Sequence, residues 1–263
     1  LAAGKGTRMK SSLCKVMHPV LNKPMIGHII AALRAAEVDR IIVVVGHGAN
    51  SVKEYLQDDV EYALQEPQLG TGHAVMQAKA LAEEDGDTII VNGDGPCIQK
   101  ETILKAFAAN QNYACTVLTS VLADGERYGR IVRNRDGMVE KIVEAKDCSA
   151  EELAIKEINT GIFCFKTSKL FDGLKEITTN NAQNEYYLTD LVEIFHKHNE
   201  KVNAMIVDDA EETMGVNDRV DLAKANSWMK KHINHNHMLN GVTILDPDNT
   251  YIDADVEIGE DTT

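Results

Sequence analysis

The chain has 263 residues, of which 44% are hydrophobic, enough for the core of one large α/β domain with a smaller appendage. Its formal charge of -14 argues against a nucleic acid partner, because binding to a phosphate backbone depends on a basic surface. No apolar run reaches about 18 residues and the amino terminus lacks a signal-peptide pattern, so we predict a cytoplasmic protein with no membrane partner.

Glycine-rich turns, helices and buried strands alternate through the first half of the chain. A turn of small residues and glycine at 1–8 is typical of the end of a buried strand. The unbroken apolar run at 41–45 predicts a strand that is buried on both faces, as in a parallel sheet. Repeated strand-helix-strand units predict a doubly wound, Rossmann-like α/β sheet, which binds ligands at the carboxyl ends of its strands. The predicted helices are 26–33, 72–81 and 102–109, and the predicted strands are 41–45 and 88–91.

The second half of the chain begins with a β-rich stretch, from residue 115 to residue 165. Residues 138–143 alternate in the manner of a strand and 162–165 form a short apolar run, which predicts a β-rich insertion over the ligand crevice. In the last stretch Ile252 and Ile258 lie six residues apart, a spacing found in hexapeptide β-helix repeats. The other predicted elements of this half are a helix at 188–195, a strand at 202–207 and a helix within 219–240.

The turn at the amino terminus matches neither of two known phosphate-binding motifs. Met9 stands where a dinucleotide-binding loop has its third glycine, and no Gly-Lys-Ser or Gly-Lys-Thr triplet closes a Walker loop. The turn still offers free backbone N–H groups and leads to the cations Arg8 and Lys15. From spacing alone, both a cradle for a triphosphate and a solvated basic turn remain open.

An ordered set of motifs runs along nearly the whole chain. The motifs are Leu1-Ala2-Ala3-Gly4-x-Gly6-Thr7-Arg8-Met9, Leu69-Gly70-Thr71-Gly72-His73-Ala74, Gly93-Asp94-x-Pro96, Tyr128-Gly129-Arg130-Ile131, Glu157-Ile158-Asn159-Thr160-Gly161, Asn184-Glu185-Tyr186-Tyr187-Leu188-Thr189-Asp190 and Gly215-Val216-Asn217. This set resembles the sugar-phosphate nucleotidyltransferases. Among these enzymes, the chain looks like the uridylyltransferase part of the bacterial bifunctional N-acetylglucosamine-1-phosphate uridylyltransferases and glucosamine-1-phosphate acetyltransferases. Cys14 and Cys97 depart from the family pattern, which usually has proline and an aliphatic residue at these positions.

The resemblance implies a reaction between UTP and N-acetylglucosamine 1-phosphate that forms UDP-N-acetylglucosamine and releases pyrophosphate. It implies that Arg8 and Lys15 hold the triphosphate and that Asp94 and Asn217 bind Mg²⁺, which prefers hard oxygen ligands. Acetyl transfer is not implied, because the β-helix domain that performs it is essentially absent. The remaining implied substrate-binding residues are Ala2, Ala3, Gly4, Gln65, Gly70 and Thr71 at the nucleoside and Gly129, Glu144 and Asn159 at the sugar, with Asn217 in contact with both substrate and metal.

Alternatives remain open for these residues and for the function. Thr71 could cap a helix, Asp94 could be a turn residue, and Asn217 could be a helix N-cap. Arg8 and Lys15 could be surface cations. The whole chain could act on another hexose 1-phosphate, or it could be an inactive nucleotide-sensing subunit, because fold alone does not fix function.

The domain organisation that follows has three parts. We expect a nucleotidyltransferase domain over 1–218, a linker helix over 219–240, and the first turns of a left-handed β-helix over 241–263. The resemblance implies a homotrimer for a full-length form. The five cysteines form no Cys-x-x-Cys pair, so we predict reduced thiols rather than a disulfide framework or a zinc site.

Overall fold

The structure is a computed structural model and describes residues 1–125 and 127–263. Helices pack on both faces of the sheet, as the doubly wound α/β prediction requires. The strands are β1 (Pro19–Val20), β2 (Lys23–Pro24), β3 (Ile42–Val45), β4 (Glu61–Leu64), β5 (Asp87–Ile90), β6 (Cys115–Val121), β7 (Arg130–Arg133), β8 (Val139–Val143), β9 (Glu157–Lys166) and β10 (Val202–Ile206). The α-helices are α1 (Met25–Ala35), α2 (Ala49–Leu56), α3 (Thr71–Met76), α4 (Lys100–Asn110), α5 (Ala150–Leu153), α6 (Thr167–Leu174), α7 (Leu191–Lys197) and α8 (Arg219–Leu239).

The first three residues connect two groups of strands. On one side, the Leu1 nitrogen donates to the Val91 carbonyl at 2.6 Å and the Gly93 nitrogen donates to the Leu1 carbonyl at 2.7 Å. On the other side, the Ala2 nitrogen donates to the Val44 carbonyl of β3 at 2.7 Å, and β3 pairs in parallel with β4. The segments that follow residue 3, β3 and β5 therefore leave the sheet at one edge, where the strand-end rule places a ligand site.

The long strand β9 makes the sheet mixed rather than parallel. Its carboxyl half is antiparallel to both β5 and β6, and its amino half pairs with β6 and contacts β7. β10 lies parallel to β6. The sequence predicts a β-rich insertion over 115–165, but β6 and β9 of that stretch lie inside the main sheet. β7 and β8 form an antiparallel hairpin at the end of the same sheet.

Alternation along β9 divides the core between the two faces of the sheet. Ile162 and Cys164 pack in the hydrophobic cluster that contains α1, β3 and α4, whereas Phe163 and Phe165 pack in the cluster that contains α6 and α7. Both faces of this strand are buried, so a slip of one residue would place phenylalanines in the first cluster and leave smaller side chains in the second. Packing thus fixes the register of β9.

The five cysteines are free, and they lie at different depths. Cys148 is half-buried, and the other four pack in hydrophobic surroundings. Burial raises the pKa of the Cys97 thiol to about 12 and also raises the pKa of the Cys115 and Cys164 thiols. Cys14 and Cys97, which depart from the family pattern, both serve as small apolar core residues.

Helix α8 begins where the sequence analysis placed a helix. The Asp218 side chain caps it by accepting from the backbone nitrogens of Val220 and Asp221 at 2.9 Å and 3.0 Å. Ala225 and Met229 on α8 pack in one cluster with Met9, Val20, Met25 and Cys97. The predicted linker role of this helix remains a prediction.

The tail after α8 folds back onto the domain. The Ala254 nitrogen donates to the Leu21 carbonyl at 3.1 Å, and Lys23 pairs with Asp255 at 2.6 Å. Residues 241–263 are all described and none is assigned to a helix or a strand, so the start of a β-helix remains a prediction. Within the described ranges, no helix combines the length and apolar character needed to cross a membrane.

Candidate functional site

A cavity of about 370 Å³ lies at the edge of the sheet where β5 ends. Its walls come from the segment after β5, the segments before β7 and after β8, β9, and the segment before α8. The cavity brings together predicted site residues from distant parts of the chain. Those that line it are Arg8, Thr71, Asp94, Gly129, Glu144, Asn159 and Asn217.

Two cations and two side-chain oxygens converge at one end of this cavity. The Lys15 ammonium lies 2.5 Å from Asp94 Oδ2 and 3.1 Å from Asn217 Oδ1, and Arg8 Nη2 donates to the same Asn217 oxygen at 2.8 Å. The Lys15 and Asp94 side chains are only 13% and 22% exposed, so solvent screens this ion pair weakly. The predicted metal ligands Asp94 and Asn217 thus share one cation, the Lys15 ammonium.

Local packing explains how the amino-terminal turn presents its cations. Gly6 adopts a φ of 61°, and a Cβ at this position would stand 2.5 Å from the Lys15 Cβ, so the backbone of the turn lies directly against Lys15. Met9 is 1% exposed and anchors the turn in the core beside α8. Met9 therefore serves as a hydrophobic anchor at the position where a dinucleotide-binding loop has its third glycine. Arg8 belongs to the same single turn of 3-10 helix (Thr7–Met9), and its side chain is exposed.

The residues predicted to surround the nucleoside are mostly tied to one another. Gln65 is 3% exposed, and its Nε2 donates to the Gly70 carbonyl at 3.0 Å and lies 3.1 Å from His73 Nδ1. Ala2 and Ala3 are buried in the sheet, whereas Gly4 is exposed with open space around its Cα. Gly4 therefore offers the accessible backbone at this end, whereas Gln65 is buried and its amide nitrogen is already hydrogen-bonded.

Thr71 does not cap a helix, which corrects one of the alternatives drawn from the sequence. Helix α3 begins at Thr71 itself, and its N-cap is Gly70, which makes no side-chain cap bond. The Thr71 hydroxyl instead accepts from the Leu188 nitrogen at 3.1 Å. Thr71 therefore connects the start of α3 to the segment before α7. Thr71 also lines the cavity.

The residues predicted at the sugar come together on three adjacent segments. Gly129 precedes β7, Glu144 follows β8, and Asn159 lies on β9. The Asn159 backbone nitrogen donates to the Gly129 carbonyl at 2.9 Å. A Cβ on Gly129 would stand 3.5 Å from Glu144 Oε2, an ordinary contact distance, so the two residues lie side by side at the cavity. Burial raises the pKa of Glu144, and its Oε1 accepts from the Thr189 hydroxyl at 3.3 Å.

Arg127 and Thr189 are among the cavity residues that the sequence analysis did not predict as site residues. Arg127 lies 3.2 Å from Asp221 Oδ2, and the same carboxylate oxygen accepts from the Asn217 nitrogen at 3.2 Å. Thr189 lines the cavity beside Glu144. Both could have been found by position, because Arg127 directly precedes the Tyr128-Gly129 motif and Thr189 lies within another quoted motif.

The donor set of the cavity suits a small divalent cation that is shared with a substrate. Asp94 and Asn217 provide one carboxylate and one amide oxygen, and the Lys15 ammonium demonstrates that a cation fits between them. No cluster of three His, Cys, Asp or Glu side chains with metal-binding geometry occurs in the described part of the chain. Mg²⁺ commonly completes its shell with water and phosphate oxygens, so two protein ligands are compatible with it.

Comparison with known proteins assigns the chain to a family. The family model described as nucleotidyl transferase matches residues 1–250. The chain belongs to the nucleotidyl transferase family. The bifunctional protein GlmU of Limosilactobacillus reuteri is 55% identical over 265 aligned positions, and the same protein of Limosilactobacillus fermentum is 53% identical. Each match covers 100% of this chain and 58% of the relative, so the chain spans little more than half the length of these relatives.

A solved structure supports the fold independently. A Bacillus anthracis protein assigned as a glucose-1-phosphate thymidylyltransferase, solved in complex with a sucrose, superposes with a TM-score of 0.67 at 21% sequence identity. The match covers 86% of this chain and 92% of that one. The Rossmann-like nucleotidyltransferase fold predicted from the sequence is therefore confirmed.

Proposed function

We propose that the chain is a uridylyltransferase that joins UTP to N-acetylglucosamine 1-phosphate, forming UDP-N-acetylglucosamine and pyrophosphate, and so supplies a precursor of cell-wall polysaccharide. The proposal rests on the convergence of four side chains at one end of the cavity, those of Arg8, Lys15, Asp94 and Asn217. The residues predicted to bind the sugar line the other end. The identity of about half of all positions with bifunctional GlmU proteins supports it.

The reaction requires positioning and charge neutralisation more than a base. An oxygen of the sugar 1-phosphate, already anionic, attacks the α-phosphorus of UTP, and the bond from that phosphorus to the bridging oxygen of pyrophosphate breaks. Lys15 and Arg8 would bind the β- and γ-phosphates and stabilise the charge that develops on pyrophosphate. Bound Mg²⁺, held by Asp94 and Asn217, would supply electrostatic screening between the two substrates.

The sugar end of the cavity would select the substrate by hydrogen bonds. Glu144 can accept from sugar hydroxyls, and Asn159 can pair with hydroxyl or amide groups. A site of this kind disfavours analogues that leave its buried polar groups unpaired. An active enzyme is also favoured over a nucleotide-sensing subunit, because four predicted site residues form one cluster: Arg8, Lys15, Asp94 and Asn217.

The test is pyrophosphate release from UTP and Mg²⁺ across a panel of sugar 1-phosphates. We expect N-acetylglucosamine 1-phosphate to be preferred over glucose 1-phosphate, and Asn159→Ala to reduce that preference. Asp94→Asn should lower kcat/KM at least about 100-fold, or ~2.7 kcal/mol of transition-state stabilisation, because the variant loses the one carboxylate of the cluster.

Asp136→Asn is the matched control, because Asp136 is an exposed carboxylate in the turn between β7 and β8. It should leave kcat/KM unchanged. Near-normal turnover by a folded Asp94→Asn protein would reject the metal role of Asp94. Equal use of the two sugar 1-phosphates by the unmodified protein would instead reject the proposed substrate.

A further inference from the structure

A buried arginine beside the sugar end of the cavity has no role in the reaction described above. Arg130, the first residue of β7, is 2% exposed. Its Nη1 donates to the carbonyls of Gly125 and Tyr128, and its Nη2 lies 3.4 Å from the carbonyl of Leu153 at the end of α5. One guanidinium therefore joins three backbone positions from two separate segments.

Two of these carbonyls belong to the segment that forms one wall of the cavity. We define the sugar-side wall as Gly125 together with residues 127–129, of which 127–129 line the cavity. A Cβ on Gly125 would stand 3.1 Å from the Arg130 Cζ, so the backbone of the wall lies directly on the guanidinium. The Gly129 carbonyl accepts from the Asn159 nitrogen on β9. The wall is therefore held at its other end by the strand that contains Asn159, one of the residues predicted to bind the sugar.

Burial of a guanidinium costs free energy unless its N–H groups are hydrogen-bonded. Both Nη atoms of Arg130 have carbonyl partners, whereas its buried Nε has none. Bonds from a charged donor to a carbonyl are stronger than those between neutral groups, and the planar fork of arginine fixes their directions. A lysine at the same position has one nitrogen and cannot reach carbonyls on both sides. Loss of Arg130 would leave three carbonyls without this donor and would release the sugar-side wall from β7.

The two cations at the other end of the cavity are positioned without this arginine, and the sugar-side wall reaches that end through the exposed Arg127, which pairs with Asp221, the acceptor of the Asn217 nitrogen. Lys15 and Arg8 are positioned by the amino-terminal turn, and Asp94 by the end of β5. Met9 holds that turn against α8 and not against β7. A change at Arg130 is therefore expected to act on one substrate and to spare the other.

We propose that Arg130 is a positioning residue that holds the sugar-side wall in the conformation that binds the sugar 1-phosphate. The inference rests on the proposed function for the identity of that substrate. Arg130 acts through the backbone of residues 127–129 and does not itself touch the sugar, because its guanidinium is enclosed by the three carbonyls that it binds.

The experiment compares Arg130→Met and Arg130→Lys with Arg133→Met, each assayed for pyrophosphate release with both substrates varied. Arg133 is a matched control, because it lies on the same strand but is partly exposed and pairs with Glu157 at 2.6 Å. We expect Arg130→Met to raise the KM for the sugar 1-phosphate at least tenfold while the KM for UTP stays within twofold. Arg130→Lys should restore little of the loss, and Arg133→Met should change neither KM.

Hydrogen exchange gives a second readout that does not require turnover. In Arg130→Met and Arg130→Lys, amides of residues 127–133 should exchange at least tenfold faster than in the unmodified protein, while amides of residues 5–17 should keep their rates. Equal increases in both KM values, or unchanged exchange at 127–133 in both variants, would overturn the proposal. Failure of the unmodified protein to use N-acetylglucosamine 1-phosphate would overturn the proposed function and leave the exchange result to decide the role of Arg130.

Discussion

At the scale of single residues, the Lys15 side chain occupies the position between two oxygens that are predicted to bind a metal. Its ammonium lies 2.5 Å from Asp94 and 3.1 Å from Asn217. Two cations cannot share this position, because like charges a few ångströms apart repel strongly in a partly buried site. A triphosphate would offer Lys15 other partners, so binding of the nucleotide would free Asp94 for a divalent cation.

Lys15→Met should therefore bind Mn²⁺ more tightly than the unmodified protein when no nucleotide is present. We expect the dissociation constant for Mn²⁺, measured by calorimetry or by the spin resonance of the free ion, to fall at least tenfold. The same variant should lose at least tenfold in kcat/KM, about 1.4 kcal/mol, because the triphosphate loses a cation. Lys105→Met, which removes an exposed pair with Asp208, is the control and should leave both quantities unchanged. Weaker Mn²⁺ binding by Lys15→Met would contradict the competition.

At the scale of elements, apolar runs predicted the central strands, whereas strand direction depended on distant pairing. The run 41–45 matches β3, which is buried on both faces. The amino half of β9 is polar in sequence, yet Thr160 is buried because its hydroxyl donates to the Leu118 carbonyl at 2.7 Å. Only the carboxyl half of β9 was visible as an apolar run. Its antiparallel direction arises from pairing with β5 and β6 and carries no local signal.

The sequence indicated where residues at strand ends would lie, whereas contacts between loops left no signal in it, and the roles of these residues stay predictions. Asp94 follows β5, so the strand-end rule places it at the edge where the cavity lies. The motif resemblance supplied Asn217, which no periodicity would have linked to Asp94. The bond between Thr71 and the Leu188 nitrogen joins two loops far apart in sequence and could not be inferred from either one.

The turn before α3 requires a glycine, and this gives a prediction for an element. Gly70 has a φ of 110°, and a Cβ there would stand 2.6 Å from the Tyr186 carbonyl, which accepts from the Gly72 nitrogen at 2.8 Å. Gly70→Ala should lower the free energy of unfolding by about 2–4 kcal/mol, from backbone strain and the collision together. Gly70→Ala should also raise the KM for UTP. The turn must move away from the segment that contains Tyr186, and this turn contains residues predicted to surround the nucleoside.

Gly86→Ala separates strain from collision. Gly86 has a φ of 120°, but no atom lies within 4 Å of a Cβ at this position. Urea unfolding of Gly86→Ala should therefore show the strain alone and a smaller loss of stability than Gly70→Ala. Equal losses in the two variants would show that the contact with Tyr186 adds nothing.

At the scale of the whole molecule, hydrophobic clusters connect the site to the fold. Two clusters lie on opposite faces of the sheet, and the third joins α8 to the amino-terminal turn through Met9 and Met229. The turn that carries Arg8 is thus held by a helix near the other end of the chain. Because the tail also hydrogen-bonds to Leu21, which packs in the same cluster as Met9, the cations predicted to hold the triphosphate are positioned by segments from both ends of the sequence.

The distribution of the cysteines makes the core accessible to chemical footprinting. Cys14 and Cys164 lie in one cluster, Cys115 in the second and Cys97 in the third, whereas Cys148 is half-buried. A buried thiol with a raised pKa is a poor nucleophile, so its alkylation requires the surrounding structure to open.

Pulses of iodoacetamide followed by mass spectrometry should label Cys148 first in native buffer. Cys115 and Cys164 should become labelled together as urea is added, because they lie on paired strands, with Cys164 opposite Thr116. Labelling of either of these two as fast as Cys148 in native buffer would contradict their burial. The order in which the remaining thiols react would give the sequence in which the parts of the core come apart.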